Sequence, residues 1–184
     1  MENRKTQIVD LALKLIREKG YVAISYDDFS KQLGVTKASI HYHFEKKEDL
    51  GIAVLERILN SLQNIVNSSG TAEEKLKHYI AYRTEKIGCN EICPISSFQT
   101  DFESLPDVLQ QKVQAVSQLE VSLLITILQE GINEDFVQDS EDIESLALTI
   151  LACIKGILQY RRVLGKDIYP QVINQINRLF VKRI

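Results

Sequence analysis

Between Thr36 and Lys47 the chain gathers side chains that can bind phosphate and read base edges. Thr36 and Ser39 carry hydroxyls, Lys37 and Lys47 carry cations, and His41, Tyr42 and His43 carry rings with polar atoms, with the small Ala38 among them. Hydroxyls and imidazoles donate and accept hydrogen bonds, whereas lysine only donates. On one short helix such a set can contact backbone phosphates and base edges. The imidazoles could also serve acid–base chemistry, but the chain has 3 histidines and two lie in this stretch. There is no P-loop, no dinucleotide fingerprint, no His-Glu-x-x-His metal site and no Gly-x-Ser-x-Gly nucleophile. Neither an enzyme nor a resident metal or cofactor is expected.

The second reactive stretch is Cys89-Asn-Glu-Ile-Cys93-Pro94. Cys93 precedes a predicted helix start, where the helix dipole can lower a thiol pKa. Oxidation could then pass through a sulfenic acid to a disulfide. The same residues also read as reduced thiols packed in a pocket wall, and both readings stay open. The spacing is not a standard zinc pair, and only His78 lies outside the first segment.

These residues need elements to hold them. The chain has 184 residues with 8 glycines and 3 prolines, so few turns are required and long helices are favoured. Helical periodicity predicts about nine helices: 5–19, a short one after Ser25, 37–44, 46–68, 72–87, 95–105, 106–131, 141–164 and 169–181. Gly20 suits a left-handed C-cap. Ser25 with Asp28 suits a weak capping box, and Thr36 is an N-cap. Gly34 permits the tight corner between the second and third helices. Phe29, Ile40, Phe44 and Leu50 are candidate core. Short capped helices joined at Leu33-Gly34-Val35 are helix-turn-helix geometry, whose second helix enters the DNA major groove.

The formal charge of −3 excludes an indiscriminate nucleic-acid binder. Lys31–Lys47 nevertheless holds four lysines against one glutamate, a local net of +3. No stretch approaches the roughly 20 apolar residues of a membrane span. The N-terminus leads into an amphipathic pattern with no signal-peptide core, so a cytoplasmic setting with reduced cysteines is expected.

Gly20, Gly34-Val35-Thr36, Ile40-His41-Tyr42-His43-Phe44 and Lys47-Glu48-Asp49-Leu50 together resemble the N-terminal domain of TetR/AcrR-type repressors. The close resemblance covers about 45 residues, and the remainder agrees in length and helix layout. Ala38 departs from the glycine, and His41 from the first tyrosine, that many relatives carry. The resemblance implies an all-α fold with a helix-turn-helix DNA-binding domain in 1–50, a connecting helix 46–68, and an effector-binding and dimerisation domain in 51–184. By position it makes Thr36 a cap and phosphate ligand. It turns Lys37, Ala38 and Ser39 to the groove, and sets Tyr42, His43 and Lys47 on phosphates, with His41 as a further contact.

It also implies a homodimer on a palindromic double-stranded operator and release by a small-molecule effector. Tyr79, Tyr82, Cys93, Phe98, Phe102, Leu123 and Tyr160 could line the effector pocket. Leu146, Ile150, Cys153, Ile157, Ile173, Ile176 and Phe180 could form the dimer face, although core packing explains either set as well. Against this repressor stand two other classes, an enzyme and an interaction module that keeps the fold without binding DNA.

Overall fold

The computed structural model describes residues 3–85, 87–138, 142–164 and 168–180. Every regular element among them is helical: α1 (Arg4–Lys19), α2 (Tyr26–Leu33), α3 (Lys37–His43), α4 (Lys47–Val66), α5 (Ala72–Thr84), α6 (Pro94–Thr100), α7 (Asp107–Asn133), α8 (Ile143–Leu164) and α9 (Tyr169–Arg178). A single 3-10 turn, Phe102–Ser104, precedes α7. Helix α7 runs past Gly131, where the sequence pattern ended it. The expected start at residue 141 and end at residue 181 lie outside the described residues.

The chain divides into two compact units. The first takes the residues up to Leu59 together with Ile92–Val116. The second takes Asn60–Glu91 and the chain from Ser117 onward. Helices α4 and α7 each cross a unit boundary.

In the first unit, Ile8, Ala12, Leu15 and Ile16 of α1 are buried with Phe29, Ile40, Phe44, Leu50 and Val54. Burial of this apolar surface is the main driving force for ordering three helices as short as α1 to α3. Helix α6 belongs to the same core through Ile95 and Phe98. Pro94 opens it at the first helical positions, where a missing N–H costs nothing. Two hydrogen bonds join α6 and its approach to α1 and the turn that follows it. The Ile92 N–H donates to the Arg17 carbonyl at 2.9 Å. The Tyr21 N–H donates to Ser97 Oγ at 2.8 Å.

The second unit buries Leu76, Tyr79 and Ile80 of α5 with Ile150, Ile154, Ile157 and Leu158 of α8. Thr71 and Glu74 form a reciprocal capping box at the start of α5. Inside this unit lies an ionic cluster. Glu120 of α7, 1% exposed, pairs with Arg83 of α5, 4% exposed, and with Lys155 of α8 at 2.7 Å. The Arg83 guanidinium also lies 5.6 Å from the Tyr79 ring centroid. Arg161, also buried, donates through Nη2 to the carbonyls of Ile87 and Gly88, both at 2.8 Å.

One expectation is overturned. Helices α7 and α8 are long and apolar enough, by length and composition, to cross a membrane. Polar residues interrupt both stretches, so neither reads as an unbroken apolar run in the sequence. Glu120 and Lys155 fall on these two helices and pair with each other inside the second unit.

Candidate nucleic-acid interface

The reading element is built from local chemistry upward. The Asp28 carboxylate accepts from the Ser25 N–H at 2.8 Å and from the Ser25 hydroxyl at 2.9 Å, which fixes the start of α2. Lys19 holds its other oxygen at 2.8 Å. The Lys19 hydrogen bond first, and the Ser25 bonds second, bring the Asp28 pKa down to about 2. Gly34 ends α2 at φ 64° and ψ 35°, the left-handed conformation that favours glycine. Gly20 also has positive φ, 87°, a conformation that favours glycine, but its ψ of 160° lies outside the left-handed cap expected from sequence. Thr36 then caps α3, its Oγ1 accepting from the Ser39 N–H at 3.2 Å. That leaves the Thr36 hydroxyl proton to donate outward.

Helix α3 seats itself on the core through Ile40 and Phe44 and turns its other face to solvent. Thr36, Lys37, Ala38, His41 and Tyr42 are exposed, and Ser39 and His43 are half-buried. Tyr42 is 85% exposed, the most of any large apolar side chain in the described chain. The Lys37 ammonium reaches back to Asp27 at 2.7 Å, with both side chains more than half exposed. Such a surface pair is worth little and yields easily to a phosphate.

His41 is ordered from beneath. Its ring meets Tyr26 edge-on at 4.6 Å, and Nδ1 lies 3.1 Å from the Glu45 carbonyl. A carbonyl only accepts, so Nδ1 carries the proton and Nε2 is the acceptor of the neutral ring. The Tyr26 hydroxyl donates to the Phe44 carbonyl at 2.8 Å. Burial, with Asp49 and Glu48 nearby, pushes that phenol's pKa up to about 12. Tyr26 is thus the strut under His41, and sequence periodicity did not single it out.

The structure brings Thr36, Lys37, Ala38, Ser39, His41, Tyr42 and His43 together on one helix. Lys47 lies at the start of α4, half-buried. Its Nζ donates to the Val22 carbonyl at 2.9 Å and sits 4.7 Å from the Tyr21 ring centroid.

The residues expected around an effector separate between the units. Cys93, Phe98 and Phe102 belong to the first, and Tyr79, Tyr82, Leu123 and Tyr160 to the second. Tyr79 and Phe98 are fully buried, and the Phe98 ring packs 4.6 Å from that of Tyr21. Tyr160 is largely in solvent, while Tyr82, Phe102 and Leu123 are half-buried. Cys93 is buried and Cys89 exposed.

Of the expected dimer face, Ile150, Ile157 and Ile176 are buried within their own chain, so they are core. Leu146, Cys153, Ile173 and Phe180 are half-buried, and Phe180 stacks on Phe136 at 4.9 Å. The apolar residues that α8 does expose are Leu148, Tyr160, Val163 and Leu164. Leu148, Tyr160 and Leu164 lie on a second stripe of the sequence, at multiples of four residues, beside the one that became core. Among the described residues no group of three or more His, Cys, Asp or Glu is placed to hold a metal.

A capped two-helix corner presenting an exposed polar and aromatic helix over a packed three-helix base defines a helix-turn-helix DNA-binding protein. Comparison with known proteins makes the class specific. Residues 8–54 match the family model of bacterial regulatory proteins of the tetR family, and residues 73–176 match that of the tetracyclin repressor-like C-terminal domain. The chain belongs to the TetR family of transcriptional regulators. It is similar to the fatty acid metabolism regulator protein of Bacillus subtilis, with 25% identity over 142 residues, 74% of this chain and 72% of the relative. It is 39% identical over 56 residues, 30% of each chain, to the negative transcriptional regulator IcaR of the Staphylococcus epidermidis biofilm operon icaADBC. A TetR transcriptional regulator from Legionella pneumophila has the same fold, with TM-score 0.81 and 29% identity over 98% of this chain and 96% of that one. The chain is therefore a DNA-binding transcriptional regulator of all-α architecture.

Proposed function

We propose that the protein works in the cytoplasm as a non-enzymatic homodimer, reading a palindromic operator with two α3 helices and leaving it when a small molecule binds the second unit. The observation that carries the reading head is the exposed face of α3. Tyr42, Ala38 and His41 stand in water on a helix whose other side is fully seated in the core. Thr36, Lys37, Ser39 and His43 complete the set of donors around them.

Dimerisation is supported by the outer face of α8. Leu148, Ala152, Gly156, Tyr160 and Leu164 recur every fourth residue, and all but Gly156 are exposed. A Cβ built on Gly156 would meet nothing within 4 Å, so this face is open to close approach by a second helix. A two-fold pair of such helices matches the two-fold symmetry of a palindromic site.

Effector release follows from linkage: a ligand that favours the conformation with misplaced heads lowers operator affinity by its differential binding energy. The relative named for regulating fatty acid metabolism, with a structurally similar Bacillus subtilis regulator that holds stearoyl-CoA, makes fatty acids and their CoA thioesters the first candidates. The test is operator selection from a random duplex pool, followed by fluorescence anisotropy against salt with and without a C16 acid or its CoA thioester. Operator binding should weaken steeply with salt, because phosphate contacts release counterions. Binding to no duplex would instead leave an interaction module that has kept the fold alone.

A further inference from the structure

Folded chains pack as densely as organic crystals, so a void far larger than a water molecule is uncommon beside ordered elements. The second unit has one, a cavity of about 380 Å³ between α5, the chain that follows α7 and the end of α9. We infer that it is a binding site for an uncharged molecule with an apolar body and one hydrogen-bonding group. The inference goes beyond the proposed function, whose effector candidates are anionic, and it needs neither operator nor dimer.

One face of α5 supplies most of the lining. Glu73, Leu76, Lys77 and Ile80 stand three and four residues apart, so they share one side of the helix. Leu76 and Ile80 are buried and make an aliphatic floor. Phe136 and Phe180 make a wall, their rings stacked within 17° of parallel. The exposed residues Glu73, Lys77 and Asn177 make the rim.

The wall is held in place before any ligand arrives. The Phe136 and Val137 N–H groups both donate to the Gly131 carbonyl, at 2.8 Å and 3.0 Å. Asp135 takes a positive φ of 57° within that turn. A Cβ on Gly131 would lie 2.7 Å from Val137 Cγ2 and 3.2 Å from Phe136 Cδ1, so the turn closes only over glycine. The start of α5 is tied to the same end of α7. Glu134 accepts from the Ala72 N–H at 2.8 Å, and Lys75 donates to Glu130 at 2.7 Å. A cavity framed by such fixed elements costs little ordering entropy to fill. Its volume falls within the roughly 300–1,000 Å³ of small-molecule pockets.

The rim selects the class of ligand. Glu73 and Lys77 pair at 2.6 Å, one turn apart on α5, and cancel each other's charge. A charged ligand takes one partner and leaves the other uncompensated. The Asn177 side-chain amide, by contrast, enters no hydrogen bond among the described residues. It offers both a donor and an acceptor. An alcohol, ketone or amide satisfies it and leaves the ion pair intact, while the apolar body lies on Leu76, Ile80 and the two rings.

The experiment uses the full-length protein and probes that share one naphthalene body: 1-naphthalenemethanol, 1-naphthoate and 1-naphthylmethylammonium. Calorimetry reads affinity, and NMR of labelled leucine and isoleucine methyls reads location. The alcohol should shift the Leu76 and Ile80 methyls by its ring current. It should bind about tenfold more tightly than either ion, which must shed hydration without gaining a free partner. Asn177→Leu should weaken the alcohol about fivefold, the loss of one hydrogen bond. Lys77→Gln should raise affinity for the ammonium, and Glu73→Gln affinity for the carboxylate. All these positions are exposed, so the thermal midpoints should match the parent. Absence of alcohol binding, or methyl shifts confined to other residues, overturns the site. Tighter binding of either ion to the parent, or rim variants that leave the order of affinities unchanged, overturns the ligand class. No DNA is present, so failure here leaves the proposed function standing.

Discussion

Glu120 is the residue whose replacement tests the energetics of the second unit most sharply. It is one buried carboxylate, 1% exposed, between two cations from two other helices. Glu120→Gln keeps the shape and removes the charge that Arg83 and Lys155 share. Breaking a buried pair in this way costs about 3–5 kcal/mol. Lys155 keeps 20% of its side chain in solvent and can recover some hydration, whereas Arg83 at 4% cannot. The lower part of the range, about 3 kcal/mol, is therefore expected. For a chain of this length that lowers Tm by about 6–12 °C. Thermal and urea unfolding at one fixed protein concentration measure it, because the proposed dimer would make apparent stability concentration-dependent. The triple change Glu120→Leu, Arg83→Met, Lys155→Met removes every charge at once and should recover most of the loss. A Glu120→Gln protein within about 0.5 kcal/mol of the parent, the scatter of an ordinary surface change, would refute the reasoning. So would a triple variant less stable than the single one.

Other expectations follow from the same structure. Tyr42→Ala should leave Tm unchanged, because the ring is 85% exposed, yet weaken operator binding by tenfold or more in anisotropy titrations. Thr36→Ala removes the cap of α3, costing about 1 kcal/mol in urea unfolding and weakening operator binding as well. Asp28 has its folded pKa depressed to about 2, so its contribution is complete above the unfolded carboxylate value and is lost as pH falls through about 2. The stability gap between parent and Asp28→Asn should therefore be flat above about pH 5 and close between about pH 4 and 2; a gap that persists at pH 2 would contradict the assigned partners. Leu148→Glu with Tyr160→Glu should convert the dimer to a folded monomer in sedimentation, with unchanged helicity, since both side chains stand in solvent.

The parts of the molecule legible in the sequence are those written in short-range chemistry. Ser25, Asp28, Gly34 and Thr36 declare the second and third helices because capping and left-handed backbone are local events. Ile40 and Phe44 declare their burial through helical spacing alone. Partners set by the tertiary fold left no such trace. Nothing in the chain signals that Tyr21 meets Ser97, 76 residues away. Tyr26 reads as one more aromatic until its ring is found under His41. On α8 two apolar stripes run side by side, and spacing does not say which one is core. Ile150 and Ile157 face inward, and Leu148 and Tyr160 outward, because of where α5 packs. Nothing in helical spacing says that Arg83, Glu120 and Lys155 meet.

The membership of residues 92–116 in the first unit bears on how such regulators can be recombined. A chimera spliced after the helix-turn-helix would carry Tyr21 without Ser97, stranding a buried N–H at a cost of about 1–3 kcal/mol. It would also strand the Arg17 carbonyl that accepts from Ile92. The transplantable cassette is discontinuous: the first 59 residues travel with α6 and the opening turns of α7. Sequence drift in α6 is then constrained by the DNA-reading partner it supports, and exchange of specificity between relatives requires three crossovers, not one.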